Sequence, residues 1–104
     1  MHTKRSKKAQ KLPTVAMLRP VVLRITQEYG ASNVRIFGSF ARGEQTKTSD
    51  VDLLIDPPEK MSLLDLVGLK IDLEDALKRK VDVILARSVK PALRDNIFKD
   101  ARPL

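Results

Sequence analysis

A chain of 104 residues that is 42% apolar and 32% charged holds one small globular domain. It has no Cys and a single His, His2, which excludes disulfides, thiolate or His-rich metal sites, thiol nucleophiles and a Ser-His-Asp triad. The net charge is +7, but residues 1–12 carry Lys4, Arg5, Lys7, Lys8 and Lys11 with no acid, while the remainder holds 15 bases against 13 acids. Residues 1–12 therefore read as a basic, disordered leader, and 13–104 as the folded domain. A tail of this kind can contact phosphate backbones, yet basicity confined to a tail is thin support for RNA as a partner. No apolar run approaches the roughly 20 residues that span a bilayer. The basic N-terminus also lacks the apolar stretch of a signal peptide, so the expected compartment is the cytoplasm, without membrane contact.

Taken in chain order, Val15, Leu18, Val22, Ile25 and Tyr29 recur at spacings of three and four, which predicts an amphipathic helix over Thr14 to Tyr29 with Gly30 as its stop. Pro20 either kinks that helix or sits in the first turn of a shorter one. Val34–Phe37 is a short strand running into Gly38-Ser39 and a helical turn. Val51–Ile55 is a second strand, closed by Asp56-Pro57-Pro58. Ser62 opens a helix with Asp65 as its capping-box partner, continuing to about Arg79 on a stripe of Leu66, Leu69, Leu73, Ala76 and Leu77. Its charged residues, including Arg79, read as a solvated face. Val81–Ala86 is a third strand, and Pro91 opens a last helix with Leu93, Ile97 and Ala101 on one side. This order predicts an α/β (α+β) domain: a small mixed sheet with helices on one face.

Strand alternation sends Val51, Leu53 and Ile55 to the core and Asp50 and Asp52 to the opposite face. Asp82 repeats the pattern between Val81 and Val83. Like charges packed this closely repel unless a cation joins them, and Asp is a poor strand former. If the second and third strands are neighbours, three carboxylates converge. Hard oxygen donors without His or Cys suit Mg²⁺, and two such ions about 3.5–4 Å apart can clamp a phosphoryl transfer. The Gly38-Ser39 bend, opening into a helical turn, lets a phosphate approach free backbone N–H groups, with the Ser39 hydroxyl and the Arg42 cation beside it. The loop between cradle and carboxylates, with Glu44 and Lys47, reads as a mobile surface segment.

Gly38-Ser39, ten intervening residues, then Asp50-Val51-Asp52 resembles the GS-x(10)-D-x-D motif of the polymerase-β-like nucleotidyltransferase superfamily. The string GSFARGEQTKTSDVDLLID is similar to its minimal nucleotidyltransferase branch, the MNT antitoxins paired with HEPN-domain ribonuclease toxins. The resemblance spans about residues 15–104 and implies a polymerase-β-like core. It also implies that Asp50, Asp52 and Asp82 are the catalytic carboxylates holding two Mg²⁺ ions. Gly38, Ser39, Arg42 and Ser49 would then be the nucleotide-binding residues. The implied reaction is transfer of AMP from ATP to a tyrosine hydroxyl of a HEPN toxin, neutralising it.

The chain ends about twenty residues after Asp82, leaving little from which to build a second, acceptor-gripping domain. The acceptor is therefore expected on a bound partner. Two alternatives remain open from the residues: a non-catalytic antitoxin that masks its partner, and a nucleotidyltransferase acting on RNA or a small molecule.

Overall fold

A computed structural model describes residues 12–104. The expected leader falls almost entirely on residues outside that range. Helix α1 spans Val15–Glu28, with Leu18, Val22, Ile25 and Thr26 on its buried side. Thr14 caps it, its hydroxyl accepting the Met17 N–H at 3.2 Å. Pro20 stays inside one continuous helix. Both Pro20 and Ala16, whose carbonyl loses an intrahelical partner, are exposed, so water can satisfy that carbonyl.

Strand β1 (Ser32–Phe37) starts two residues earlier than its apolar core suggests. A bulge between Ser32 and Arg35, with Asn33 at φ 48°, accounts for the difference. The one-turn helix α2 (Ser39–Arg42) follows, then β2 (Val51–Asp56) and α3 (Leu63–Leu77). The capping box forms as expected: Asp65 N–H donates to Ser62 Oγ, and Ser62 N–H to the Asp65 carboxylate, each at 3.1 Å. Ser62→Ala should cost about 1 kcal/mol, lowering the melting temperature by roughly 4–8 °C in a thermal melt. Lys78, in left-handed conformation, caps α3, whose last residue, Leu77, lies two before the expected Arg79. Leu69 and Leu73 are fully buried, but Ala76 is exposed. Strand β3 (Val81–Leu85), a 3₁₀ turn (Ala86–Ser88), helix α4 (Pro91–Asp100) and a two-residue strand β4 (Arg102–Pro103) complete the chain.

The four strands form one mixed sheet in the order β3-β2-β1-β4, parallel between β2 and β3 and antiparallel elsewhere. The edge strand β4 lies outside the expected elements, because two residues carry no readable alternation. Helices α1 and α3 cover one face, burying Val34, Ile36, Val51, Leu53, Ile55 and Val81 between them and the sheet. Helix α4 departs from the expected single-face arrangement. Arg35 lies between the core residues Val34 and Ile36, so it projects from the opposite face, and there its guanidinium stacks 5.7 Å from the Phe98 ring of α4. Leu54, in register with Arg35, shares the Asp52 face and is fully buried, so that face needs a cover as well, and α4 packs there against β1.

The outer side of α3 is apolar as well, with Leu63 75% and Leu64 83% exposed and Val67 and Ile71 beside them. Among the described residues, no helix is long and apolar enough to cross a membrane.

Candidate active site

The site lies where β1 ends, beside the start of β2 and β3. Phe37, the last residue of β1, is in register with Asp52 of β2, and Asp52 with Asp82 of β3. Residues in register on adjacent strands sit about 4.8 Å apart with side chains on the same face, so the two carboxylates are neighbours. Strand adjacency, conditional in the sequence, is realised. Asp50 precedes the first residue of β2 and is exposed. Among the described residues, no three acidic or His side chains are already gathered at metal-ligating spacing. Asp52 and Asp82 are thus together, and Asp50 stands at their margin.

The electrostatics follow from that placement. Asp52 is half-buried, and its carboxyl is pushed up to about 6. Burial is the largest cause, followed by the charges of Asp82 and Asp50 and a hydrogen bond with Asp82; Arg42 pulls weakly the other way. The uncompensated repulsion and the all-oxygen donor set are what a hard divalent cation would relieve.

Gly38 adopts φ 75°, ψ −152°, a region essentially closed to residues with a Cβ. An added Cβ there would overlap Asp52 Oδ2 and sit 3.1 Å from Asp52 Cγ. The backbone of the bend is therefore pressed against the carboxylate, with no side chain filling the approach. Ser39 opens α2, whose leading N–H groups have no intrahelical acceptor, as in the first turn of any helix. Phe40 is buried in the core and anchors the turn.

Arg42 has two partners: Nε donates to Glu44 at 2.9 Å and Nη1 to Asp100 of α4 at 2.7 Å. Both raise its already high pKa and hold the guanidinium near Asp52. Sequence reasoning missed Asp100, because nothing local signals that α4 crosses to this face. Ser49 faces its own loop, its hydroxyl accepting the Thr46 N–H at 2.8 Å.

The loop between cradle and carboxylates is pinned rather than free. Gln45 Nε2 donates to Pro13 O at 2.9 Å, and Arg79 Nη1 donates to the carbonyls of Lys47 and Ser49 at 3.2 and 3.1 Å. Nor are the charges of α3 simply solvated. Glu74 accepts from Lys70 and from the Val81 N–H, each at 3.0 Å, and Asp72 accepts from Tyr29 Oη at 2.5 Å. Tyr29 packs against the core and beside Gly68 of α3.

A cavity of about 260 Å³ lies at the opposite end of β1, lined by Thr26, Gln27 and Asn33 among others. Its buried hydroxyl, Thr26 Oγ1, already donates to Val22 O at 2.8 Å, and no site residue reaches it.

Residues 23–104 match the family model described as polymerase beta, nucleotidyltransferase. A Methanocaldococcus jannaschii protein provisionally named protein adenylyltransferase MJ0435 is 45% identical over 80 residues, covering 77% of this chain and 86% of that protein. The solved structure of a provisionally assigned minimal nucleotidyltransferase is 40% identical, with TM-score 0.76, covering 88% of this chain and 97% of that one. A chain in the complex of tri-AMPylated Shewanella oneidensis HEPN toxin with MNT antitoxin is 16% identical, with TM-score 0.68, covering 85% of this chain and 69% of that one. At that identity the likeness is one of fold.

Proposed function

The chain belongs to the polymerase beta nucleotidyltransferase family, and from that premise we propose that it is the antitoxin of a toxin–antitoxin pair. In this reading it works in the cytoplasm as a Mg²⁺-dependent protein adenylyltransferase, moving AMP from ATP to a tyrosine hydroxyl of a HEPN-domain ribonuclease and so silencing it. The observation that carries the reading is the register of Asp52 with Asp82 directly beside the Gly38 bend.

Asp50, Asp52 and Asp82 would hold the Mg²⁺ ions, whose chemistry is to neutralise phosphate charge and steady the attacking and leaving oxygens. The remaining work falls to this chain's own groups. The Gly38-Ser39 backbone and the Ser39 hydroxyl bind the β- and γ-phosphates, and Arg42, oriented by Glu44 and Asp100, offsets charge on the leaving pyrophosphate. Ser49 acts indirectly, closing the turn that delivers Asp50. Asp82 orients the acceptor hydroxyl and takes its proton as the oxygen attacks the α-phosphorus. A new P–O bond forms to the acceptor, the bond to the β-phosphate breaks, and pyrophosphate leaves. Positioning and electrostatics supply the rate, so no side-chain nucleophile is needed.

A protein acceptor fits the surface. The exposed Leu63, Leu64, Val67 and Ile71 stripe on α3 is of the kind that marks protein–protein contacts.

The test is incubation with α-labelled ATP, Mg²⁺ and the product of the adjacent gene. Label should appear on a tyrosine of that partner, and Asp50→Asn should lower transfer about 10³-fold and abolish neutralisation of the toxin. A D50N protein that neutralises as well as wild type would show that masking alone suffices. Label on RNA instead would move the acceptor class.

A further inference from the structure

Arg79 follows the left-handed cap of α3 and precedes β3 by two residues. Its backbone surroundings are fixed on both sides. Val51 N–H donates to Lys80 O at 3.0 Å, Val81 N–H donates to Glu74, and Lys70 Nζ donates to Val81 O at 2.7 Å. From this anchored base the side chain reaches across the sheet end. Nη1 donates to Lys47 O and Ser49 O, and the guanidinium lies 5.7 Å from the ring of Phe40, within cation–π range. One side chain thus touches α2, which carries the cradle, and the two carbonyls just ahead of Asp50.

We propose that Arg79 is a positioning residue for nucleotidyl transfer: it braces the 43–50 segment so that the Gly38-Ser39 cradle and Asp50 keep the spacing a metal–triphosphate needs. This rests on the reading of the site above. Of the three site carboxylates Asp50 is the one outside a strand, so no ladder holds it. Val51 anchors it on one side; on the other its place is set by the segment before it, which Arg79 fastens to the start of β3, the strand of Asp82. Lysine is a poor substitute. A single ammonium can reach one or both carbonyls, but it has no planar group to lie over Phe40 while doing so.

The experiment reads the brace and the site separately. In Arg79→Ala, hydrogen exchange of the amides between Glu44 and Asp50 should speed up on the order of tenfold, while α1 and β1 exchange as in wild type. Calorimetric uptake of Mg²⁺–ATP should weaken by a similar factor, and the KM for ATP should rise more than kcat falls. Arg79→Lys, which keeps the charge, should fall between the two and serves if the alanine variant fails to fold. Loop exchange unchanged in either variant, or wild-type affinity for Mg²⁺–ATP in both, overturns the proposal. Wild-type protein that takes up no Mg²⁺–ATP sinks the reading of the site itself, a result the exchange data cannot produce.

Discussion

Asp52→Asn is expected to lower nucleotidyl transfer about 10³-fold and, at pH 7.5, to raise the melting temperature. The two effects share a cause. Asp52 sits half-buried beside Asp82 and within the field of Asp50, which pushes its carboxyl from 3.8 to about 6. A folded-state value above the unfolded one means that the native protein binds the proton more tightly. Stability is therefore unaffected by this group below about pH 4, falls as pH rises towards 6, and carries the whole penalty above that. An Asn of the same shape keeps a partner for Asp82 without the charge. Discounted for the solvent that reaches a half-buried group, the gain is about 1 kcal/mol, or roughly 4–8 °C for a domain of this size. Melts at pH 4 and pH 7.5 check the sign: the variant should gain at 7.5 and lose that advantage at 4. Mg²⁺–ATP should stabilise wild type and leave the variant unmoved. A variant that transfers AMP within tenfold of wild type would remove Asp52 from the catalytic set, and one less stable at pH 7.5 would contradict the electrostatics.

Gly38→Ala should be the most damaging of the four Gly→Ala substitutions. Backbone strain at φ 75°, ψ −152° costs about 1–3 kcal/mol, and the new Cβ must also displace the Asp52 carboxylate it overlaps. Either the bend opens or Asp52 turns away, and both dismantle the contact between cradle and carboxylate. Activity should fall at least about 100-fold, with a melting temperature about 10 °C lower. Gly43→Ala is the matched control. Gly43 is also left-handed, at φ 71° and ψ 22°, but a Cβ there meets nothing within 4 Å. It should cost about 1 kcal/mol and leave turnover near wild type. If both substitutions cost the same activity, the damage is general backbone strain and the Gly38–Asp52 contact has no special role.

The parts of this molecule legible in the sequence are those governed by neighbours along the chain. The Ser62–Asp65 capping box, the Gly38-Ser39 bend and the alternation that puts Val51, Leu53 and Ile55 inside and Asp52 outside each depend on a few consecutive residues, whose geometry follows from local backbone periods. Leu54 is the exception, buried on the face that a single layer of helices leaves uncovered, and with it goes the position of α4. Arg79 escapes the sequence for a related reason: a cation near a helix end looks solvated until the fold shows what lies across from it.

The sequence by itself determined that three carboxylates and a phosphate-sized bend exist in this chain, along with the local conformation of each. Only the tertiary structure decided that Asp82 stands in register with Asp52, that Asp50 is left at the edge, and that Arg42 and Arg79 are held by Asp100 and by the Lys47 and Ser49 carbonyls. Those contacts join residues thirty or more positions apart, and their choice follows from strand order and register. These are settled by the burial of whole faces, a quantity that no short window of residues contains.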